Sequence, residues 1–158
     1  MNATNLQGDG AARKRVIVVD DNEILLRAWK KILGRDGYIC FATPNPEAAL
    51  DALEHEGADL IICDIVMPHM DGFELLQRTR HMNGHPRVVL TTGYVCDFKR
   101  LKLDVGEQDI HVLLKPYDDI QEIRSFIRRL LDGDETLETQ DDAHHQSVPD
   151  AHVHLWSL

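Results

Sequence analysis

The chain has no apolar run approaching the roughly 18 residues that a membrane-spanning helix requires. Its first stretch, MNATNLQGDGAARKR, holds no apolar core, so no secretory signal is expected. The three cysteines, Cys40, Cys63 and Cys96, are isolated, odd in number and outside any CxxC pair, which speaks against a disulfide framework. Two of them sit inside apolar runs, and all three are expected to be reduced thiols. Positive charge is also scarce. The formal net charge is −10, and no Lys or Arg follows Arg129. Asp132, Asp134, Glu135, Glu138, Asp141, Asp142 and Asp150 concentrate negative charge in that last stretch, and the rest of the chain carries a net −3. Phosphate backbones are held by clustered Lys and Arg, so direct nucleic-acid binding is not expected. There is no internal repeat. A cytoplasmic protein with no membrane contact is expected.

What is present is an alternation. With 158 residues and 43% hydrophobic content, one domain with a proper core is expected. "VIVV" (16–19) is a short continuous apolar run, the mark of a strand covered on both faces. Ile24, Leu25, Ala28, Trp29, Ile32 and Leu33 then recur at helical spacing, with Asn22 as cap and Gly34 or Gly37 as stop. Tyr38–Ala42 predicts a second strand, and Pro46 opens a second helix through Leu53. "ADLIICD" is a third strand ending at Asp64, "GFELLQRTRHM" a third helix, and "HPRVVLTTG" a fourth strand ending near Thr92. Tyr94–Leu103 predicts a weaker helix, and "DIHVLLKP" a fifth strand stopped by Pro116. "YDDIQEIRSFIRRLL" predicts a last helix with Ile120, Ile123, Phe126, Ile127 and Leu130 on one stripe. Five strands alternating with five helices imply a parallel sheet with helices on both faces. Residues 1–13 and 132–158 lack this periodicity and are expected to be disordered.

In such a sheet, ligands bind outside the carboxyl ends of the strands. The unusual polar residues of this chain fall there: Asp20 and Asp21, Asp64, Thr91 and Thr92, and Lys115 before Pro116. Each alone has an ordinary reading as a cap, a turn or a β-former. Together, three carboxylates at one edge are strongly unfavourable without a cation. Mg2+ is the natural candidate, being held by one or two carboxylates plus waters and phosphate oxygens. A lysine and a hydroxyl add the donors that a phosphoryl group needs.

The pieces "VVDDNE", "LIICDIVMPHMDGFELL", "VVLTTGY" and "LLKPYD", in this order and spacing, resemble the receiver domains of bacterial two-component response regulators. The resemblance covers residues 14–131 and implies the flavodoxin-like fold, with strand order 2-1-3-4-5. It implies that Asp64 is the phosphoacceptor, supplied by a sensor histidine kinase or histidine phosphotransfer protein. Asp21, Asp64 and the backbone carbonyl of Val66 would ligate Mg2+, and Asp20 would reach it through water. Lys115 would pair with the phosphoryl oxygens, aimed by a cis peptide bond to Pro116, and Thr92 would turn onto the phosphoryl group. Phosphorylation would then shift the fourth helix and fifth strand and switch a partner-binding surface. One position departs: the family carries Tyr or Phe three residues before the lysine, and here stands Val112, with His111 before it. The aromatic readout is therefore not implied. Val66 and Tyr94 offer no carboxamide to orient an attacking water, so slow self-hydrolysis is expected.

No effector motif follows Leu131, so a stand-alone receiver with an acidic, His-bearing tail (132–158) is expected, with weak homodimerisation left open. His144, His145, His152 and His154 in that tail could capture Zn2+ or Ni2+, but read more simply as solvated side chains. The chain is not expected to be an enzyme beyond its own phosphorylation and slow dephosphorylation. Two rivals stand beside this reading. A degenerate receiver would only dock proteins. An Asp-nucleophile phosphatase of the haloacid dehalogenase kind would need a second Asp where Val66 stands.

Overall fold

The computed structural model describes residues 12–82, 84–93 and 110–132, and the backbone of 155–157. The elements run β1 (Arg15–Val19), α1 (Glu23–Arg35), β2 (Ile39–Thr43), α2 (Pro46–Glu56), β3 (Leu60–Asp64), α3 (Gly72–Thr79), β4 (Arg87–Thr92), β5 (His111–Leu114), α4 (Ile120–Asp132) and β6 (Leu155–Ser157). The helices start where the side chains permit. Asn22 accepts from the amides of Ile24 and Leu25, Asn45 caps α2 with Pro46 behind it, and Asp71 accepts from Glu74. Asp119 does the same for Gln121 and Glu122 at the start of α4. At the other end of α1, Gly37 takes φ 88, a left-handed conformation open to a residue without a Cβ.

The sheet order is β2-β1-β3-β4-β5-β6, with the first five strands parallel. The first five follow the expected order, and β1, β3, β4 and β5 are largely buried, whereas β2 at the edge is not. Alternation divides the core in two. Ile17, Val19, Ile61, Cys63, Leu90 and Val112 pack with Leu53 of α2 and Leu75 and Leu76 of α3. Val16, Val18, Ile62, Val89 and Leu113 pack on the other face, with Trp29 and Leu33 of α1 and Phe126 and Ile127 of α4. Among the described residues no helix is long and apolar enough to cross a membrane.

Four expectations need correction or placement. The buried stripe of α1 is Leu26, Trp29 and Leu33, whereas Ile24 is 75% exposed and Ala28 faces out. The first turn of α1 stands at the rim of the sheet, beyond the core, so the inward stripe starts two residues later. Ile120 is likewise exposed at the start of α4, although the rest of its stripe is buried. The expected helix over Tyr94–Leu103 lies outside the described residues. In the tail, expected to be disordered, the described residues Leu155–Ser157 form a three-residue strand, β6, antiparallel to β5, which periodicity does not signal.

Candidate functional site

The carboxyl ends of β1, β3 and β5 meet at one rim. Asp20 follows the last residue of β1, and Asp64 ends β3, only 2% and 7% exposed. Register fixes their level: Val19 pairs with Cys63, and Asp64 with Thr91. Lys115 follows β5 and reaches back past β4, its Nζ 2.7 Å from Asp20 Oδ2 and 3.0 Å from Asp64 Oδ2. The Lys115–Pro116 peptide is cis. Thr92 ends β4, fully buried and level with Leu114, and its carbonyl accepts the Lys115 amide at 2.8 Å. Thr91 and Thr92 turn to opposite faces, as a strand requires.

Backbone amides hold the acids in place. Asn22 donates its N–H to Asp20 Oδ1 at 2.8 Å while its side chain caps α1. Asp20 thus has one oxygen on an amide and the other on an ammonium. Asp21, beside it, is exposed. Val66 is 54% exposed in the turn after β3, and its amide points back to Asp64 Oδ1 at 3.4 Å.

That turn closes against Gly72. The Gly72 amide donates to Ile65 O at 3.0 Å, and a Cβ on Gly72 would lie 2.6 Å from the Asp64 carbonyl oxygen. Only a residue without a side chain lets the start of α3 sit on the backbone of Asp64. The sequence shows this as the Asp71–Gly72 pair, but not the contact it serves.

The charges do not balance. Asp20, Asp21 and Asp64 each present an oxygen within 4.8 Å of the others, against one ammonium. Two unit charges at that distance repel by about 3 kcal/mol at an effective dielectric constant near 20. Burial raises the Asp64 pKa, and the Lys115 hydrogen bond offsets only part of this. Burial alone would lower the Lys115 pKa, but its bonds to Asp20 and Asp64 leave it raised, so the ammonium is firmly charged. Two negative charges remain uncompensated. An all-oxygen donor set with that surplus fits a hard divalent cation. Among the described residues this is the one cluster of potential metal ligands. The Cys63 thiol next to Asp64 is pushed far up by burial and is inert.

Beside Lys115 runs an apolar groove of about 480 Å3 between α1 and the segment entering α4, lined by Leu25, Trp29, Tyr117, Ile120 and Ile123 among others. Tyr117 packs edge-on to Trp29, with ring centroids 5.5 Å apart. Val112, in place of an aromatic ring, is fully buried in the core.

A family model described as response regulator receiver domain matches residues 16–128. A curated relative, response regulator receiver protein CpdR of Brucella abortus, is 30% identical over 118 residues, 75% of this chain and 97% of its own length. Sporulation initiation phosphotransferase F of Bacillus subtilis is 29% identical over 119 residues, 75% of this chain and 94% of that one. Among solved structures, a CheY-like response regulator receiver domain protein from Methanospirillum hungatei superposes with a TM-score of 0.69 at 28% identity. That superposition spans 78% of this chain and 98% of the other.

Proposed function

Because this chain belongs to the response regulator receiver domain family, we propose that Asp64 accepts a phosphoryl group from a histidine kinase or histidine phosphotransfer protein and that the resulting aspartyl phosphate switches a partner-binding surface. The observation that carries this reading is the Lys115 ammonium, held 3.0 Å from Asp64 by a rim where two negative charges stay uncompensated. The resemblance to a protein named as a phosphotransferase supports it.

Mg2+ would be held by Asp21, Asp64 and the Val66 carbonyl, with Asp20 reaching it through water. When bound it would neutralise charge on the transferring group and orient it. The chain's own residues do the rest. One Asp64 carboxylate oxygen attacks phosphorus, the bond from phosphorus to the donor's imidazole nitrogen breaks, and the imidazole leaves with the electron pair. Lys115 lies where it can donate to the phosphoryl oxygens, exchanging a carboxylate partner for a phosphoryl one. Thr92, tied to Lys115 through its backbone, supplies the hydroxyl that closes on the phosphoryl group. The apolar groove, whose lining includes Lys115, gives an incoming helical partner a surface beside the rim. With Val112 buried in the core, the switch does not run through an aromatic ring at that position.

This makes the chain a cytoplasmic signalling domain and not an enzyme acting on other substrates. A phosphatase with an aspartate nucleophile would want an acid where exposed Val66 stands, and none is there. Incubation with a chromogenic phosphate ester and Mg2+ separates the two. Steady release of product would establish the phosphatase, and its absence alongside a covalent aspartyl phosphate supports the receiver.

A further inference from the structure

An edge strand with unpaired N–H and C=O groups is a template for pairing with another chain, and proteins blunt such edges with charge, proline or a cover. In the order β2-β1-β3-β4-β5-β6, β5 would be an edge without β6. Its sequence, HVLL, has no Lys, Glu or Pro to discourage pairing, and His111, Val112 and Leu113 are buried. The nearest charge, Lys115, is committed to Asp20 and Asp64. β6 covers this edge in antiparallel register: His111 with Ser157, Val112 with Trp156, Leu113 with Leu155. The cover is supplied by the same chain from beyond α4, across the sequence 133–154.

We infer that β6 is a tethered cover that keeps the β5 edge from pairing with the same edge of a second copy of this chain. A cover of three residues is short, since isolated two-stranded pairing is marginal. It holds because the tether keeps it at a high effective concentration. Uncovered, β5 of one copy meets β5 of another, and the two parallel sheets join across a two-fold axis by antiparallel pairing. The inference concerns the sheet edge and stands whether or not Asp64 is phosphorylated.

The test compares the full chain with the double variant Leu155→Pro, Trp156→Pro. Successive amides of a strand point to opposite sides, so two consecutive prolines remove one donor directed at β5 whichever way the pairing runs. Hydrogen exchange by mass spectrometry reads the β5 amides at low protein concentration, and sedimentation equilibrium reads the mass over a concentration series. Exchange in β1 and β3 confirms that the variant is folded. The expected result is exchange at least about tenfold faster in β5 of the variant, with a mass that climbs towards the dimer as concentration rises while the unaltered chain stays monomeric. Equal β5 exchange in both chains overturns the inference, because β6 then covers nothing. Faster exchange in a variant that stays monomeric also overturns it, because the edge is then no interface. A dimer of the unaltered chain that the prolines abolish overturns it too, since β6 then joins copies.

Discussion

Lys115 Nζ lies 3.0 Å from Asp64 Oδ2, reaching past β4 from the end of β5 to the end of β3. The same ammonium is 2.7 Å from Asp20. One cation therefore ties the first, third and fifth strands together at the rim. Lys115→Ala should leave two buried carboxylates without that partner. We expect destabilisation of about 1–3 kcal/mol in metal-free buffer, read by urea unfolding. Phosphorylation by acetyl phosphate should slow on the order of 100-fold, as for loss of one preorganised donor. An unchanged rate would mean that the lysine is only structural.

The surplus of acid at the rim predicts a response to Mg2+. A ligand at a hundred times its Kd adds about 2.7 kcal/mol of stability, a rise in Tm of roughly 5 °C or more. Asp21→Asn should raise the metal-free Tm, by removing repulsion, and abolish the Mg2+ response. Differential scanning calorimetry with and without Mg2+ reads both. An undiminished Mg2+ response in Asp21→Asn would remove Asp21 from the site.

Gly72→Ala places a methyl group 2.6 Å from the Asp64 carbonyl oxygen and 3.0 Å from Ile65 Cα, both backbone atoms that cannot swing aside. The start of α3 must move, at about 1–3 kcal/mol. Asp64 should move with it, so phosphorylation should fall by more than the loss of folded protein explains. A comparison of the labelled fraction with circular dichroism at the same temperature separates the two effects.

The Arg124 guanidinium on α4 binds Asp36 at the end of α1, with an Nε to Oδ2 distance of 2.9 Å. This hydrogen bond holds the Asp36 pKa below its ordinary value of 3.8. In the window below 3.8 and down to the folded value, the unfolded chain binds more protons than the folded one, so stability rises with pH there. The contribution is fully present above 3.8 and is lost as pH falls through the folded value. Arg124→Gln should therefore unfold at lower urea than the unaltered chain at neutral pH. The two curves should converge in acid. Parallel curves at all pH values would contradict the assignment.

The strands were legible because apolar runs such as "VIVV" and "LIICD" have no other use, and the site because its polar residues end those runs. The stripe on α1 was read correctly at Trp29 and Leu33 but not at its start: Ile24 fits the period but stands at the rim, and Leu26 takes its place inside. β6 was not legible because three residues cannot show an alternation, and their partner is known only once β5 is seen as an edge. The Asp36–Arg124 pair spans 88 positions, and no local spacing signals it. Asn22 reads as a helix cap, yet its amide also fixes Asp20, a second role that only coordinates reveal.

The most direct measurement is intact mass after incubation with acetyl phosphate and Mg2+. Receiver chemistry at this rim predicts a single adduct of about 80 Da on the unaltered chain, none on Asp64→Asn, and decay over minutes to hours once donor is removed. A chain that gains no mass, or an Asp64→Asn variant that gains the same mass, would contradict it.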